Sequence, residues 1–278
     1  LAARSNSQVA SAAIASAQAG SIQSQLAYSR DFEREADRMG YQTLASAGYN
    51  VRGMGDFFGR LQQAGRVYEN NAPVYLRSHP LTVERISDMQ NRADGSPYRQ
   101  VADSVDFHLV RARIRVQASG AREAVGDFGT QLREKKYASE AATRYGLAYS
   151  LLRAKEVAAA QREVEALLAL KLSSPMIAGL AAETSLASGD QAGALLIYRD
   201  ALQRYPQSRA LVYGYAEALL AAGQYEQGQR FLDAQLPLYA SDYRLYGLQA
   251  RTFALTGKRL QQHRAQAEFY LLQGQLGP

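Results

Sequence analysis

The sequence predicts an all-α chain whose C-terminal half is a stack of helix pairs. Three observations predict it. Ala148, Ala182, Ala216 and Ala250 recur every 34 residues, and Gly189, Gly223 and Gly257 keep the same interval, with Lys155 where a preceding glycine would fall. Upstream, apolar residues such as Met54, Phe57, Phe58 and Leu61 return at helical spacing. No alternating apolar and polar run of the kind that makes a half-buried strand stands out.

Taken in order, Ala2 to Ala47 reads as nearly continuous helix, ended by Ser46-Ala47-Gly48 and Asn50. A shorter helix, Val51 to Ala64, carries the Met54, Phe57, Phe58 and Leu61 stripe, and Glu69-Asn70-Asn71-Ala72-Pro73 is turn-like. His79-Pro80 leads into a helix from Thr82 to Arg92, and Asp94-Gly95-Ser96-Pro97 marks the edge of a first domain, 1–97. Val105 to Gln117 and Ala121 to Glu134 read as bridging helices within 98–138. From 139 to 278 about four helix pairs follow: Ser139 to Arg153 with Val157 to Leu170, Pro175 to Ser188 with Gln191 to Tyr205, Ser208 to Ala222 with Tyr225 to Leu236, and Asp242 to Thr256 with Leu260 to Gln273.

The interval of 34 is the tetratricopeptide signature, which needs a small residue where two helices cross and a glycine at the turn between them. Ala160, Ala194 and Gly228 share a place on the second helices, with Val164, Tyr198 and Leu232 four residues on, and Pro206 closes one unit. In the last unit Gln262 and Gln266 occupy those two places, which marks it as degenerate or as a cap. A stack of this kind presents a concave groove to a protein segment. Tyr198, Tyr213, Tyr215, Tyr225, Tyr239, Tyr243 and Tyr246 are shared between that groove and the core.

At 278 residues the chain is long enough for two domains, and 47% apolar with 21% charged residues is a globular composition. The net charge is +6, but arginines are spread at helical intervals without a run of like charge, so solvated helix faces are expected and a nucleic-acid partner is not. Cysteine is absent, which is compatible with an oxidising compartment. No run of 18 apolar residues occurs, so no transmembrane segment is expected. Val9 to Ala27, rich in Ala, Ser and Gln, is the most membrane-like stretch and reads as an Ala-rich helix packed on its own domain.

The chemistry concentrates in Ser29 to Gly40. Glu33 and Asp37 lie four residues apart, which sets both carboxylates on one helical face, with Ala36 expected to pack between them. The string E-x-E-A-D-x-x-G resembles the third-ligand motif of gluzincin metallopeptidases of the HtpX and BepA type, and Ser78-His79-Pro80-Leu81, followed by Arg85, resembles a second motif of the same family. The resemblance implies the C-terminal helical part of a gluzincin domain followed by a tetratricopeptide superhelix. It assigns Glu33 as a zinc ligand and Asp37 as the acceptor that orients a ligand histidine. His79 either caps the zinc, as a possible further ligand, or stabilises an oxyanion. Arg85 pairs with Glu84 at the surface or steadies the site electrostatically. Glu35 faces away, and His108 and His263 are structural or exposed.

HExxH does not occur in these 278 residues, whose histidines are His79, His108 and His263. The Zn2+ ligand set is therefore incomplete within this chain. Leu1-Ala-Ala-Arg resembles the stretch just downstream of HExxH, so the chain is expected to be a fragment, inactive as written, of a zinc metalloendopeptidase. The resemblance further implies a periplasmic protein of a Gram-negative bacterium, with peripheral membrane association compatible. Its expected partners are unfolded or assembling outer-membrane proteins and the β-barrel assembly machinery. The alternative from another class is a non-catalytic tetratricopeptide adaptor or chaperone with a vestigial metal-site helix.

Overall fold

The computed structural model describes residues 30–67 and 83–275, with side chains for 30–64 and 83–275. Every regular element among them is helical. The Val9 to Ala27 stretch, the Glu69 to Pro73 turn and the Ser78 to Leu81 motif, His79 included, lie outside the described residues. The chain divides into two compact units, Leu1–Ala102 and Asp103–Pro278.

In the first unit, α1 (30–46) leads to α2 (Arg52–Val67) and α3 (Val83–Asp94). Gly48 stops α1 by adopting φ +80°, which lets the Gly48 N–H reach the Ala45 carbonyl at 3.1 Å and the Tyr49 N–H reach Leu44 at 3.0 Å. Those bonds satisfy carbonyls that a helix end leaves without partners. On α2, Phe58 is buried but Phe57 is exposed, against the expectation that both lie on one inward stripe. Consecutive helical residues point about 100° apart, so one of the two must turn outward. Gly55 allows α2 to approach α3 closely: an added Cβ would sit 3.4 Å from Gln90 Cγ. Met89 and Ala93 complete a small core, and the Tyr41 hydroxyl donates to the Arg92 carbonyl at 2.9 Å, fastening α1 to the end of α3.

In the second unit, α4 (Val105–Ala118) and α5 (Ala121–Arg133) precede α6 (Glu140–Arg153) and α7 (Val157–Ala169). Then come α8 (Pro175–Ala187), α9 (Gln191–Arg204), α10 (Arg209–Ala221) and α11 (Tyr225–Gln235). A short 3-10 turn, Leu236–Leu238, leads to α12 (Tyr243–Leu255) and α13 (Arg259–Leu272). The helices α4 and α5, read from sequence as a bridge, both pack on α6 and share its core through Leu109, Val116, Ala124 and Phe128. Phe128 fills the space over Gly146, where an added Cβ would come within 2.5 Å of the ring.

The repeat phase follows the 34-residue interval. Ala148, Ala182 and Ala216 are fully enclosed, Ala250 nearly so, and Ala160 and Ala194 are buried beneath them. Gly189, Gly223 and Gly257 have φ of +89°, +73° and +71°, and Lys155 adopts +64° at the equivalent turn despite its side chain. The hydroxyl of Ser139 accepts from Ala142 N–H, and the carboxylate of Asp190 from Gly193 N–H, starting α6 and α9 with side-chain caps. The last pair is thinner. Gln262 and Gln266 are only partly buried, and its core reduces to Ala250, Phe253 and Ala265.

Candidate functional site

Three helices of the first unit converge on one guanidinium. Arg85, near the start of α3, turns inward: Nε donates to Asp37 Oδ2 at 2.7 Å and Nη2 to Oδ1 at 2.8 Å, while Nη1 meets Glu33 Oε2 at 2.9 Å. The Phe58 ring on α2 lies below the guanidinium, 5.4 Å from Cζ to the centroid. Side-chain exposure is 10% for Arg85, 15% for Glu33 and 7% for Asp37, so water screens little of this cluster. The two-pronged contact with Asp37 uses the fixed fork of arginine, which lysine could not reproduce.

Of the two expectations for Arg85, pairing with Glu84 at the surface or steadying the site, the pair with Glu84 is not formed: the guanidinium pairs with Glu33 and Asp37. Glu84 instead accepts from Arg34 Nη2 at 2.8 Å on the exposed rim. Glu35 faces outward, against Arg38. Ala36 is exposed and does not pack between the carboxylates, because one residue before Asp37 it points about 100° from the inward direction. His108 stands on α4 with Nε2 3.8 Å from Asp103 Oδ2, and His263 is exposed on α13. Phe58 is the site residue that the motif did not name. It was on the predicted apolar stripe of α2, but its use as a floor for Arg85 depends on how α2 and α3 pack.

A catalytic zinc takes three protein ligands and one open position. Among the described residues no group of three His, Cys, Asp or Glu side chains converges to hold a metal ion. What fits is one side of such a site. Glu33 brings a carboxylate, the hard donor class zinc accepts, on a helix that Arg85 fixes at two points one turn apart.

The second unit offers a concave surface. A cavity of about 480 Å³ opens among α8, α10 and α12, lined by Met176, Glu183, Tyr198, Tyr213, Glu217 and Arg244 among others. Of the tyrosines expected to share groove and core, Tyr198 and Tyr215 are buried, while Tyr213 faces the cavity with Arg244 Cζ 4.3 Å over its ring. Burial and the Asp242 carboxylate push the Tyr213 hydroxyl up to about 12, so it stays a donor at any physiological pH.

Comparison with known proteins agrees with both units. Residues 1–93, which hold Glu33, Asp37 and Arg85, match the family model Peptidase family M48, and residues 185–252 match Tetratricopeptide repeat. The beta-barrel assembly-enhancing protease of Escherichia coli K12 is 28% identical over 99% of this chain and 56% of its own length. The protein of the same name from Yersinia pestis is 26% identical over 97% of the chain and 55% of its own. The chain is thus similar to the beta-barrel assembly-enhancing proteases along nearly its whole length. It spans little more than half the length of these two relatives. A Vibrio cholerae protein is 45% identical over a shorter stretch, 39% of this chain and 22% of its own. Among solved structures, one of MamA aligns at 13% identity and a TM-score of 0.45, covering 61% of this chain and 96% of its own. The M48 segment and the repeat segment thus correspond to the two units that the fold separates, and the structure extends helix pairs on both sides of the matched repeats.

Proposed function

We propose that the protein carrying this chain is a zinc metalloendopeptidase. In this reading the first unit completes the metal site and the repeats hold protein substrates, at the assembly of outer-membrane β-barrel proteins in the periplasm of a Gram-negative bacterium. The observation that carries the reading is the buried Glu33–Arg85–Asp37 cluster, inside the M48 segment of a chain that also bears a repeat groove. Homology to the assembly-enhancing proteases over nearly the whole chain supports the cellular role.

Zinc in such a site polarises the scissile carbonyl and lowers the pKa of bound water. Glu33 would hold it. Arg85 keeps the Glu33 carboxylate at a fixed height on α1, so that the ligand need not be ordered when metal arrives. Asp37, held at both oxygens by Arg85, retains further lone-pair directions with which to accept from a ligand histidine's second nitrogen. On the motif resemblance alone, His79 would either fill the open metal position or donate to the developing oxyanion. Among the described residues no helix is long and apolar enough to cross a membrane.

The test uses the longer protein loaded with zinc. Glu33→Gln should abolish cleavage of unfolded casein and lower the bound zinc measured by atomic absorption, with helical circular dichroism nearly unchanged. Retained zinc together with retained cleavage removes Glu33 from the site.

A further inference from the structure

Arg85 holds its two carboxylates in different ways. Asp37 takes the Nε and Nη2 fork in two bonds of 2.7 and 2.8 Å, whereas Glu33 Oε2 meets Nη1 at 2.9 Å. Two parallel bonds to one carboxylate act as a hinge along its oxygens: the fork stays seated while the guanidinium plane tilts, and Nη1, on the far side of the hinge, moves most. The height of Glu33 on α1 therefore depends on that tilt. The Phe58 ring of α2 is placed to set it, with its centroid 5.4 Å from Arg85 Cζ. An aromatic face attracts a cation at this range, and more strongly where water is excluded. The contrast with two rim contacts is instructive, since Arg52 over Tyr98 and Arg111 over Phe107 pair exposed arginines with exposed rings, whereas both Phe58 and Arg85 are largely buried.

We infer that Phe58 is a positioning residue for the metal site: by holding the plane of the Arg85 guanidinium, its ring sets the Glu33 carboxylate in place before metal arrives. Glutamate is a rotamer-rich side chain, and a ligand that is already ordered spares the ordering cost on binding. An aliphatic side chain at position 58 would still cover the apolar part of the floor, but it presents no negative face to the cation. The Asp37 fork would then persist while the contact between Nη1 and Glu33 loosens. The inference rests on the reading of Glu33 as a zinc ligand. It adds to that reading a residue from α2, a helix that carries neither of the two motifs.

The experiment places singly, doubly and triply fluorinated phenylalanine at position 58 of the longer protein and measures zinc affinity by competition with a chromogenic chelator. Fluorine keeps the ring and its packing while withdrawing negative charge from its face. Zinc affinity should fall in step with fluorination, by about fivefold for the triply fluorinated ring, the scale of ordering one rotamer-rich side chain. Phe58→Leu should lose at least as much. A ring that only packs, or that only stabilises the unit, leaves the zinc affinity of the folded protein unmoved, so unchanged affinity across the fluorinated series overturns the inference. Loss in Phe58→Leu without loss in that series is a packing effect and overturns it too; if the leucine variant does not fold, the fluorinated series decides. Glu33→Gln is measured beside them. Full zinc affinity in Glu33→Gln sinks the ligand reading and the inference with it, whereas lost zinc there, with affinity retained throughout the Phe58 series, leaves the ligand reading standing and overturns the inference alone.

Discussion

The two units hold themselves together by opposite means. In the first, the feature shared by all three helices is an ion cluster, with Arg85 bound to Glu33 and Asp37 over the Phe58 ring, and among the described residues the buried apolar side chains around it are Val51, Phe58, Met89 and Ala93. In the second, helix after helix repeats one apolar crossing, built on Ala148, Ala182 and Ala216 with Val164, Tyr198 and Leu232 four residues beyond the small residue of each partner helix. Apolar crossings are non-directional and add up along the stack, so losing one weakens two neighbours. An ion cluster is directional and shared, so losing one member strands the rest. The first arrangement fixes side-chain positions to within a hydrogen bond; the second fixes a long curved surface. Their proposed tasks, holding a ligand carboxylate and holding a peptide, follow that division.

The largest expected effect tests the ion cluster. Arg85→Ala leaves two largely buried carboxylates without their cation and should destabilise the first unit by about 3–5 kcal/mol. Hydrogen exchange of α1 and α3 amides would show it while α6 to α13 keep their protection. Combining Arg85→Met with Glu33→Gln and Asp37→Asn should recover most of the loss, because no charge is then stranded. A loss below about 1 kcal/mol for Arg85→Ala, the scale of an exposed pair, would erase the contrast between the units.

Next in size is the crossing itself. Ala182→Leu or Ala216→Leu forces extra methylenes into fully enclosed positions and should destabilise by about 1–3 kcal/mol in urea denaturation. The same replacement at Ala36, exposed on α1, should be close to neutral. A neutral result at both repeat positions would mean that the small residues do not set the helix crossing.

The smallest effect sharpens the comparison by asking what charge does inside the apolar stack. Burial raises the pKa of Glu183, so just above the ordinary glutamate range the folded state binds a proton that the unfolded chain does not. Its contribution to stability grows as pH falls through that window and is lost as pH rises beyond it. Glu183→Gln should therefore raise the melting temperature near neutral pH and flatten its pH dependence between there and the glutamate range. An unchanged slope would show that Arg113 already compensates the carboxylate fully.

Much of this was legible in particular residues. The repeat boundaries follow from Gly189, Gly223 and Gly257, because positive φ is readily adopted only by glycine. Lys155 fell at the right place in the count, although nothing local to it says that it would accept φ +64°. Glu33 and Asp37 were visible as a pair because a spacing of four on a helix has one geometric meaning. Phe57 and Phe58 were not separable, since a stripe of apolar residues does not say which of two neighbours meets the core. The choice of partner for Arg85 was equally hidden. Glu84, adjacent in sequence, lost to Asp37, 48 positions away, because a guanidinium that turns inward finds two carboxylates and an aromatic face at once.

The sequence by itself determined the helical class, the phase of the repeats and the face that carries Glu33 and Asp37, because these depend on intervals along the chain and on the backbone freedom of single residues. Only the tertiary structure decided that α4 and α5 join the stack, that Arg85 bridges Glu33 and Asp37 over Phe58, and that Glu183 and Glu217 face one cavity while the nearby arginines are engaged with tyrosines. Those outcomes depend on which long-range partner satisfies a buried charge or covers an apolar face, and that competition is settled by packing across the whole unit.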